Sequence, residues 1–257
     1  MLHGEVRGGT AAGMLPLVLL HGFGGSAAAW RPLAAEMAGE RRVIALDLPG
    51  HGGSLGTRAG GAGSMAKAVA SSLQEQGIDR FHVAGHSMGG AVAALLALRQ
   101  PERVASLTLL APGGFGTAIN GSALHRYASA DDREAMADAL RAMCGPGHEV
   151  SEDVISALLE ARAPAGAAQA LLAILDVILT DPGGGVQGVL PVEELGTLPM
   201  PVTVLWGEAD PVLPVSQADG LPPNVEVQRL RGAGHMLIEK RPREVADAIL
   251  ATMARAS

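Results

Sequence analysis

One serine lies in a sequence pattern that prepares a hydroxyl group for nucleophilic attack. Residues 85–89 read Gly-His-Ser-Met-Gly, which fits G-x-S-x-G, a sharp strand-to-helix turn that exposes the serine oxygen. An apolar run typical of a buried strand precedes Ser87, and an alanine-rich helical pattern follows it. The turn needs small residues two positions before and after the serine. The alternative is a glycine-rich turn in which the serine has no chemical role.

A serine hydroxyl is a weak nucleophile until a base takes its proton, and that base needs a carboxylate to orient it. His235 follows the last predicted strand, and Asp210 follows the strand before it. In a parallel sheet both positions fall at the same edge as Ser87, so we predict a Ser87, Asp210, His235 triad in that chain order. Glu208 is the local alternative to Asp210. We prefer Asp210 because it lies farther into the loop and precedes Pro211, which stiffens the turn.

Acyl chemistry also needs donors for the negative oxygen of the tetrahedral intermediate. The backbone N–H of Met88, the residue after the serine, is the first candidate. The second belongs to the glycine-rich loop of residues 21–25, where we choose Phe23 N–H, with Gly24 N–H as the alternative. These residues together predict an oxyanion hole beside Ser87.

The same loop also fits a dinucleotide-binding pattern. Residues 22–27 match G-x-G-x-x-A, and Asp47 ends the next predicted strand, where a ribose-binding acid belongs. That reading leaves the serine turn and the His235 turn unexplained, and residues 47–54 are also explained as a tight loop beside the site. Because a P-loop and paired Cys/His zinc spacings are missing from the sequence as well, we predict no cofactor and no metal.

Short apolar runs alternate with helical patterns, which predicts an α/β fold with a mainly parallel sheet covered by helices on both faces. The first residues, Leu2–Arg7, would add an edge strand. The other predicted strands are Leu17–Leu20, Val43–Leu46, Phe81–Ala84, Val104–Leu110, Val202–Leu205 and Val225–Leu230. The predicted helices of this part are Ala27–Ala38, Ser64–Gln76, Met88–Arg99 and Pro242–Ala254.

The alternation of strand and helix patterns stops in the middle of the chain. Residues 113–198 carry helical signals, with Ser129 and Ser151 as expected N-caps. We therefore predict a helical cap insertion, 113–198, over the carboxyl edge of a core made of 1–112 and 199–257. The substrate pocket would lie under this insertion, lined by Trp30, Phe115 and Met236 as well as Phe23.

Composition excludes several classes of protein. The 257 residues are 48% apolar and 18% charged, so this is not a disordered, highly charged chain. A net charge of −7 with only two lysines argues against nucleic-acid binding. The longest apolar stretch, 167–180, has fourteen residues and contains an aspartate, short of the ~20 needed to span a bilayer. The N-terminus lacks a signal-peptide pattern and Cys144 is the single cysteine, so we expect a cytoplasmic protein.

The chain resembles the α/β-hydrolase family over nearly its whole length. The motifs that carry this likeness are residues 21–25, 47–54, 85–90, 207–211 and 232–235. The chain is also similar to the hydrolase-like C-terminal domain of the acetoin dehydrogenase E2 component, through residues 41–53, 101–112, 118–121 and 232–236. Serine at position 87 is unlike the aspartate of the dehalogenase and epoxide hydrolase relatives.

The complete set of Ser87, Asp210 and His235 beside a predicted oxyanion hole indicates a serine hydrolase that cleaves an ester or thioester. With only six aromatic residues in the chain, small to medium apolar acyl groups fit the pocket better than sugars or bases. Because nothing precedes the hydrolase core and neither Lys67 nor Lys240 lies in a lipoyl-type hairpin, we expect a free-standing hydrolase, or a partner of an acetoin dehydrogenase-type complex that acts on a thioester held elsewhere. Carbon–carbon bond hydrolases, lactonases and acyltransferases share the triad, and a non-catalytic binding module shares the fold. An apolar face of the insertion would allow a homodimer.

Overall fold

A single mainly parallel sheet forms the centre of the molecule, which we describe from a computed structural model covering residues 1–9, 13–39, 41–145, 147 and 149–256. Within these residues the strands lie in the order β1-β3-β2-β4-β5-β6-β7. Edge strand β1 is antiparallel to β3, and the other neighbours are parallel. The strands are β1 (Gly4–Arg7), β2 (Leu17–Leu20), β3 (Val43–Leu46), β4 (Phe81–His86), β5 (Val104–Leu110), β6 (Val202–Gly207) and β7 (Val225–Leu230).

The interior strands are buried along their whole length, which explains their continuous apolar runs. Every residue of β2, β3, β4, β5 and β6 is buried, as expected for a parallel sheet covered on both faces. Two strands are longer than predicted, because β4 continues its pairing with β5 as far as His86 and β6 pairs with β7 as far as Gly207. Strand β4 therefore ends immediately before Ser87, and β6 ends at the start of the turn that carries Asp210.

Helices cover both faces of this sheet, which confirms the predicted α/β class. Helices α2 and α3 pack together, and α1 packs against α9, which contacts β5 and β6. Within the described residues the helices are α1 (Arg31–Ala38), α2 (Ala62–Glu75), α3 (Met88–Arg99), α4 (Gly121–Ser129), α5 (Arg133–Cys144), α6 (Glu152–Arg162), α7 (Ala167–Ile178), α8 (Leu237–Lys240) and α9 (Pro242–Ala254). The first predicted helix begins as a 3₁₀ turn, Ala27–Trp30, before α1.

Helices α4 to α7 form the helical segment between β5 and β6. Ser151 caps α6, since its hydroxyl accepts from the N–H of Asp153 at 3.2 Å. Ser129 is not an N-cap but the last residue of α4. The following helix is capped instead by Asp132, whose carboxylate accepts from Ala135 N–H at 2.8 Å. The prediction for Ser129 was wrong because a better acceptor lies closer to the first unpaired N–H groups of α5.

None of the helices in the described part of the chain is individually long and apolar enough to cross a membrane. Helices α6 and α7 reach the required length and apolar composition only as a pair, and that pair is bent by 93°.

Candidate active site

Ser87 forms the turn between β4 and α3 with a strained backbone. Its φ is 51°, in the left-handed region that costs energy for residues other than glycine. Glycines on both sides make the turn possible. A Cβ on Gly85 would lie 2.2 Å from the carbonyl oxygen of Gly89, and one on Gly89 would lie 2.4 Å from the carbonyl oxygen of Leu20. The strand-turn-helix context predicted from the sequence is therefore present.

The structure brings the three predicted triad residues together. His235 Nε2 lies 2.9 Å from Ser87 Oγ, and His235 Nδ1 lies 2.8 Å from Asp210 Oδ2. The side chains of His235 and Asp210 are 3% and 0% exposed, so their hydrogen bond is shielded from water. Asp210 Oδ1 accepts from the N–H groups of Val212 and Leu213 at 2.8 and 2.9 Å.

Glu208, the alternative acid, is exposed on the same turn. The Asp210 side of the turn is anchored in the core instead. Its carboxylate accepts from Leu213 N–H, and the carbonyl of Leu213 accepts from the indole N–H of buried Trp206 at 3.0 Å. This arrangement holds one carboxylate oxygen for His235 and favours Asp210 as the orienting acid.

The backbone around His235 is held by the end of α5 and by His86. The N–H groups of His235 and Gly234 donate to the carbonyls of Met143 and Cys144 at 2.8 and 3.1 Å. His86 Nε2–H donates to the His235 carbonyl at 2.9 Å. Burial lowers the pKa of His86 to about 3, so the ring stays neutral at pH 7. His86 thus supports the turn that carries His235.

The two residues predicted to supply the oxyanion donors lie at the same cavity as Ser87. Phe23 and Met88 line that cavity with Ser87, and their backbone N–H groups have no acceptor among the described residues. The alternative donor, Gly24 N–H, is occupied because it donates to His51 Nε2 at 3.1 Å. Burial lowers the pKa of His51 to about 3, which keeps Nε2 available as an acceptor.

Asp47 ties the two glycine-rich loops together. Its Oδ1 accepts from Ala27 N–H at 2.7 Å, and its Oδ2 accepts from Gly53 N–H at 2.8 Å and pairs with His3 Nδ1 at 2.7 Å. Both carboxylate oxygens are thus used inside the protein. This favours the structural explanation of residues 47–54 over the dinucleotide reading, which needs Asp47 to face a ribose.

An apolar cavity of about 230 Å³ opens on Ser87. Among its described lining residues, Ser87 and Gln187 carry the polar side chains. The Gln187 amide accepts from Gly114 N–H at 3.2 Å and donates to the Gly116 carbonyl at 3.0 Å. The other wall residues are Phe23, Gly60, Gly61, Ala62, Gly63, Met88, Ala91, Leu95, Gly113, Gly114, Ile119, Leu124, Val177, Ile178, Gly188, Val189, Leu190, Val212 and Leu213. None of the described residues that line this cavity has a charged side chain.

Of the predicted pocket residues, Phe23 lines this cavity, whereas Trp30, Phe115 and Met236 do not. Trp30 is 0% exposed in the core, and the ring of Phe115 packs on Trp206 at 6.2 Å between centroids. Neither lines a cavity that opens on Ser87, so the prediction was wrong for both. Met236 lines a second cavity of about 30 Å³ on the His235 side. The side chains of Trp30 and Phe115 thus belong to the core, whereas the pocket is shaped by Phe23, glycines and aliphatic residues.

The second cavity contains a carboxyl group that the sequence analysis missed. Glu239 lines it together with His235 and Tyr127, and its buried Oε2 atom has no hydrogen-bond partner among the described residues. Burial raises the pKa of Glu239 to about 7. Only its position four residues after His235 marks it in the sequence.

The described residues contain no group of three or more His, Cys, Asp or Glu arranged to hold a metal ion.

The helical segment contributes contacts to the site that no local sequence signal marks. Asn120, at the start of α4, donates from its amide to the Pro211 carbonyl at 3.0 Å beside the Asp210 turn. Arg162, at the end of α6, donates to the Gly24 carbonyl at 3.1 Å. Gly24 belongs to the glycine-rich loop of residues 21–25, which we call the oxyanion loop after its predicted role. Together with the α5 carbonyls, these contacts place one helix end against each of the three loops that carry Phe23, Asp210 and His235.

Comparisons with known proteins identify relatives of this chain. The chain is 37% identical over 231 residues to the dihydrolipoyllysine-residue acetyltransferase component of the acetoin cleaving system of Cupriavidus necator, covering 90% of this chain and 60% of the relative. The same component of Pseudomonas putida is 37% identical over 244 residues, covering 93% of this chain and 63% of the relative. The predicted likeness to these proteins is confirmed, and this chain spans less than two thirds of their length.

Solved structures show the same fold. A bacterial membrane phospholipase A superposes with a TM-score of 0.80 at 26% identity, covering 99% of this chain and 86% of the other. A meta-cleavage product hydrolase of Pseudomonas fluorescens superposes with a TM-score of 0.83 at 20% identity, covering 99% and 94%. The model of the alpha/beta hydrolase family matches residues 17–248, from β2 into α9, and this chain belongs to that family.

Proposed function

We propose that the chain is a serine hydrolase that cleaves an ester or thioester of a small to medium apolar acyl group through an acyl-enzyme. The observation that carries the proposal is the 2.9 Å contact from His235 Nε2 to the Oγ atom of Ser87, a residue that lines an apolar cavity. A nucleophile within hydrogen-bond reach of a base that a third group orients is the signature of this chemistry.

The first half-reaction acylates Ser87. Asp210 accepts the Nδ1–H of His235, which leaves Nε2 unprotonated and able to take the Ser87 proton as the oxygen attacks the acyl carbonyl. The negative charge that forms on the carbonyl oxygen is stabilised by the N–H groups of Phe23 and Met88. Protonated His235 then gives its proton to the leaving alcohol or thiol, and the acyl group stays on Ser87.

Water releases the acyl group in the second half-reaction. His235 accepts a proton from water as the water oxygen attacks the acyl-enzyme carbonyl, and the same two N–H groups stabilise the second oxyanion. Collapse of this intermediate returns the proton to Ser87 Oγ and frees the carboxylic acid. Each step uses groups that the described residues supply.

The cavity restricts the acyl group. Its wall is uncharged, so an ionised acyl chain would lose hydration without gaining a partner. The lining residue Leu95 lies eight positions along α3 from Ser87, a rise of about 12 Å at ~1.5 Å per residue. The cavity thus extends along about two turns of α3, which suits a medium-length acyl chain. The relatives at 37% identity are named acetyltransferase components, so acetyl donors belong in any substrate series.

The proposal is tested with p-nitrophenyl esters and acyl thioesters from two carbons upward. Wild type, Ser87→Ala and a control, Ser71→Ala on the exposed face of α2, are compared at equal concentration. We expect hydrolysis in wild type and Ser71→Ala and loss of most of the rate in Ser87→Ala. An unchanged rate in Ser87→Ala would refute the proposal. No rate with any substrate would favour a carbon–carbon hydrolase, a lactonase or a binding role.

A further inference from the structure

We infer that Arg162, at the end of α6, is a positioning residue for the oxyanion donor Phe23 N–H and acts on it through two peptide groups. This inference rests on the proposed function, because the donor role of Phe23 belongs to it. Arg162 lines neither cavity that opens on Ser87, so it acts on the site without touching the substrate.

The contact begins at the carbonyl of Gly24. Arg162 Nη2 donates to this oxygen at 3.1 Å, while Nη1 donates to the Tyr127 carbonyl. The guanidinium lies 4.2 Å above the Tyr127 ring, which fixes its plane by a cation–π contact. Gly24 has a φ of 68°, and a Cβ there would lie 2.7 Å from Arg162 Nη2 and from the Tyr127 ring. Only glycine allows this approach.

Two hydrogen-bonded peptides carry the contact to Phe23. The carbonyl of Gly24 and the N–H of Gly25 belong to one trans peptide, so they point in opposite directions. Gly25 N–H donates to the Gly22 carbonyl at 3.1 Å. The Gly22 carbonyl shares its peptide with Phe23 N–H, which therefore points away from Gly25. We call this series of groups, Arg162 to Gly24–Gly25 to Gly22–Phe23, the oxyanion relay.

The relay has both an orienting and an electrostatic effect. It fixes two peptide planes, and His21 Nδ1 adds a second bond to the Gly22 carbonyl at 2.7 Å. A cation at one end polarises hydrogen bonds in a chain, which strengthens the last donor. Among the ion pairs formed by the described residues, none includes Arg162, so its charge is directed at the two carbonyls.

The position and charge of an oxyanion donor affect the free energy of the transition state more than that of the bound substrate, because the oxygen becomes negative only in the transition state. Loss of one donor costs ~10²–10³ in kcat, and a displacement of about 1 Å can cost ~10². We expect Arg162→Met to lower kcat by about 10- to 100-fold with KM within about threefold. Arg162→Lys keeps the positive charge without the fork and should recover part of that loss.

The experiment joins kinetics to a spectroscopic readout that needs no substrate. The chain has three phenylalanines, so protein labelled with ¹⁵N-phenylalanine gives amide signals from Phe23, Phe81 and Phe115. The Phe23 signal is assigned with Phe23→Leu. The control is Arg133→Met, which removes contacts from α5 to Glu152 and Ser156 of α6 but leaves the oxyanion loop untouched.

In Arg162→Met we expect the Phe23 signal to move, the other two to stay, and kcat to fall. The control should show none of these changes. An unmoved Phe23 signal, an unchanged kcat or a change in KM alone would overturn the relay. If Arg162→Met moves all three signals, its effect is not confined to the oxyanion relay. The criteria of the Phe23 signal, kcat and KM are then applied to Arg162→Lys instead. Ser87→Ala is assayed in parallel: a Ser87-independent rate contradicts the proposed function, whereas the Phe23 signal reports on the relay itself.

Discussion

Replacing Asp210 by asparagine changes one atom at the base of the triad and gives a sharp prediction. Asp210 Oδ1 accepts from two backbone N–H groups, of Val212 and Leu213, and Oδ2 accepts from His235 Nδ1. In Asp210→Asn the amide oxygen keeps the two backbone donors, so the NH₂ group faces His235. His235 Nδ1 must then accept a hydrogen bond, and the ring proton moves to Nε2, where it blocks removal of the Ser87 proton.

The size of the effect follows from the two orientations of the new amide. A histidine in the wrong tautomer costs about 10⁴-fold in kcat in other triads, or about 5 kcal/mol in the barrier at ~1.36 kcal/mol per tenfold. Flipping the amide would restore the tautomer but leave two buried N–H groups facing an NH₂. At about 1–3 kcal/mol each, this flip costs at least about 2 kcal/mol. The active orientation is therefore populated to only a few per cent.

The assay measures kcat for the best ester at pH 7.5 in Asp210→Asn and in Glu208→Gln, the exposed control on the same turn. We expect a loss of at least about 30-fold in Asp210→Asn, set by the flip penalty, and up to about 10⁴-fold, set by the tautomer. Glu208→Gln should stay within about twofold, as an exposed substitution. Full activity in Asp210→Asn, or a large loss in Glu208→Gln, would refute the assignment of the acid.

Three further variants test the parts around the triad. In Gly234→Ala the new Cβ would lie 2.5 Å from the Cys144 carbonyl carbon, so we expect about 1–3 kcal/mol less stability in urea denaturation and reduced kcat; wild-type values for both would contradict this. Ala91→Leu adds bulk to the cavity wall and should lower kcat/KM for the longest accepted acyl chain by at least about tenfold while sparing acetyl, which a chain-length series measures; an unchanged length profile would count against the cavity. Burial raises the pKa of Glu239 from 4.5 to about 7, so the folded state binds the extra proton and stability falls as pH rises from about 4.5 to 7. Glu239→Gln should be more stable than wild type by at most about 3 kcal/mol at pH 8, with the gap nearly closed at pH 5, and a gap that does not depend on pH would contradict this origin.

Much of the fold could be predicted because its signals are local. Four strands, β2, β3, β5 and β7, have the predicted limits, since buried parallel strands are continuous apolar runs bounded by turn residues. The roles predicted for Ser87, Asp210 and His235 used the G-x-S-x-G pattern, the choice of Asp210 before Pro211, and the positions of all three residues after strands, because parallel strands bring their carboxyl ends to one edge. The structure places these residues within hydrogen-bond distance.

The remaining features depend on contacts between distant parts of the chain. Arg162 and Gly24 are 138 positions apart, and His86 and His235 are 149 apart, so no local pattern marks either contact. The pocket prediction failed for Trp30 and Phe115 because apolar size alone cannot distinguish a core residue from a cavity wall. The Ser129 cap failed because Asp132, three residues later, competes for the same role.

Covalent labelling at Ser87 tests the proposed mechanism most directly. A fluorophosphonate reacts with a serine only where a base activates the oxygen and an oxyanion site accepts the product. The adduct is located by mass spectrometry of peptides from wild type and Ser87→Ala. We predict one stoichiometric adduct on the peptide that contains Ser87 and none in Ser87→Ala. Failure of wild type to react, or equal labelling of both proteins, would contradict an acyl-enzyme on Ser87.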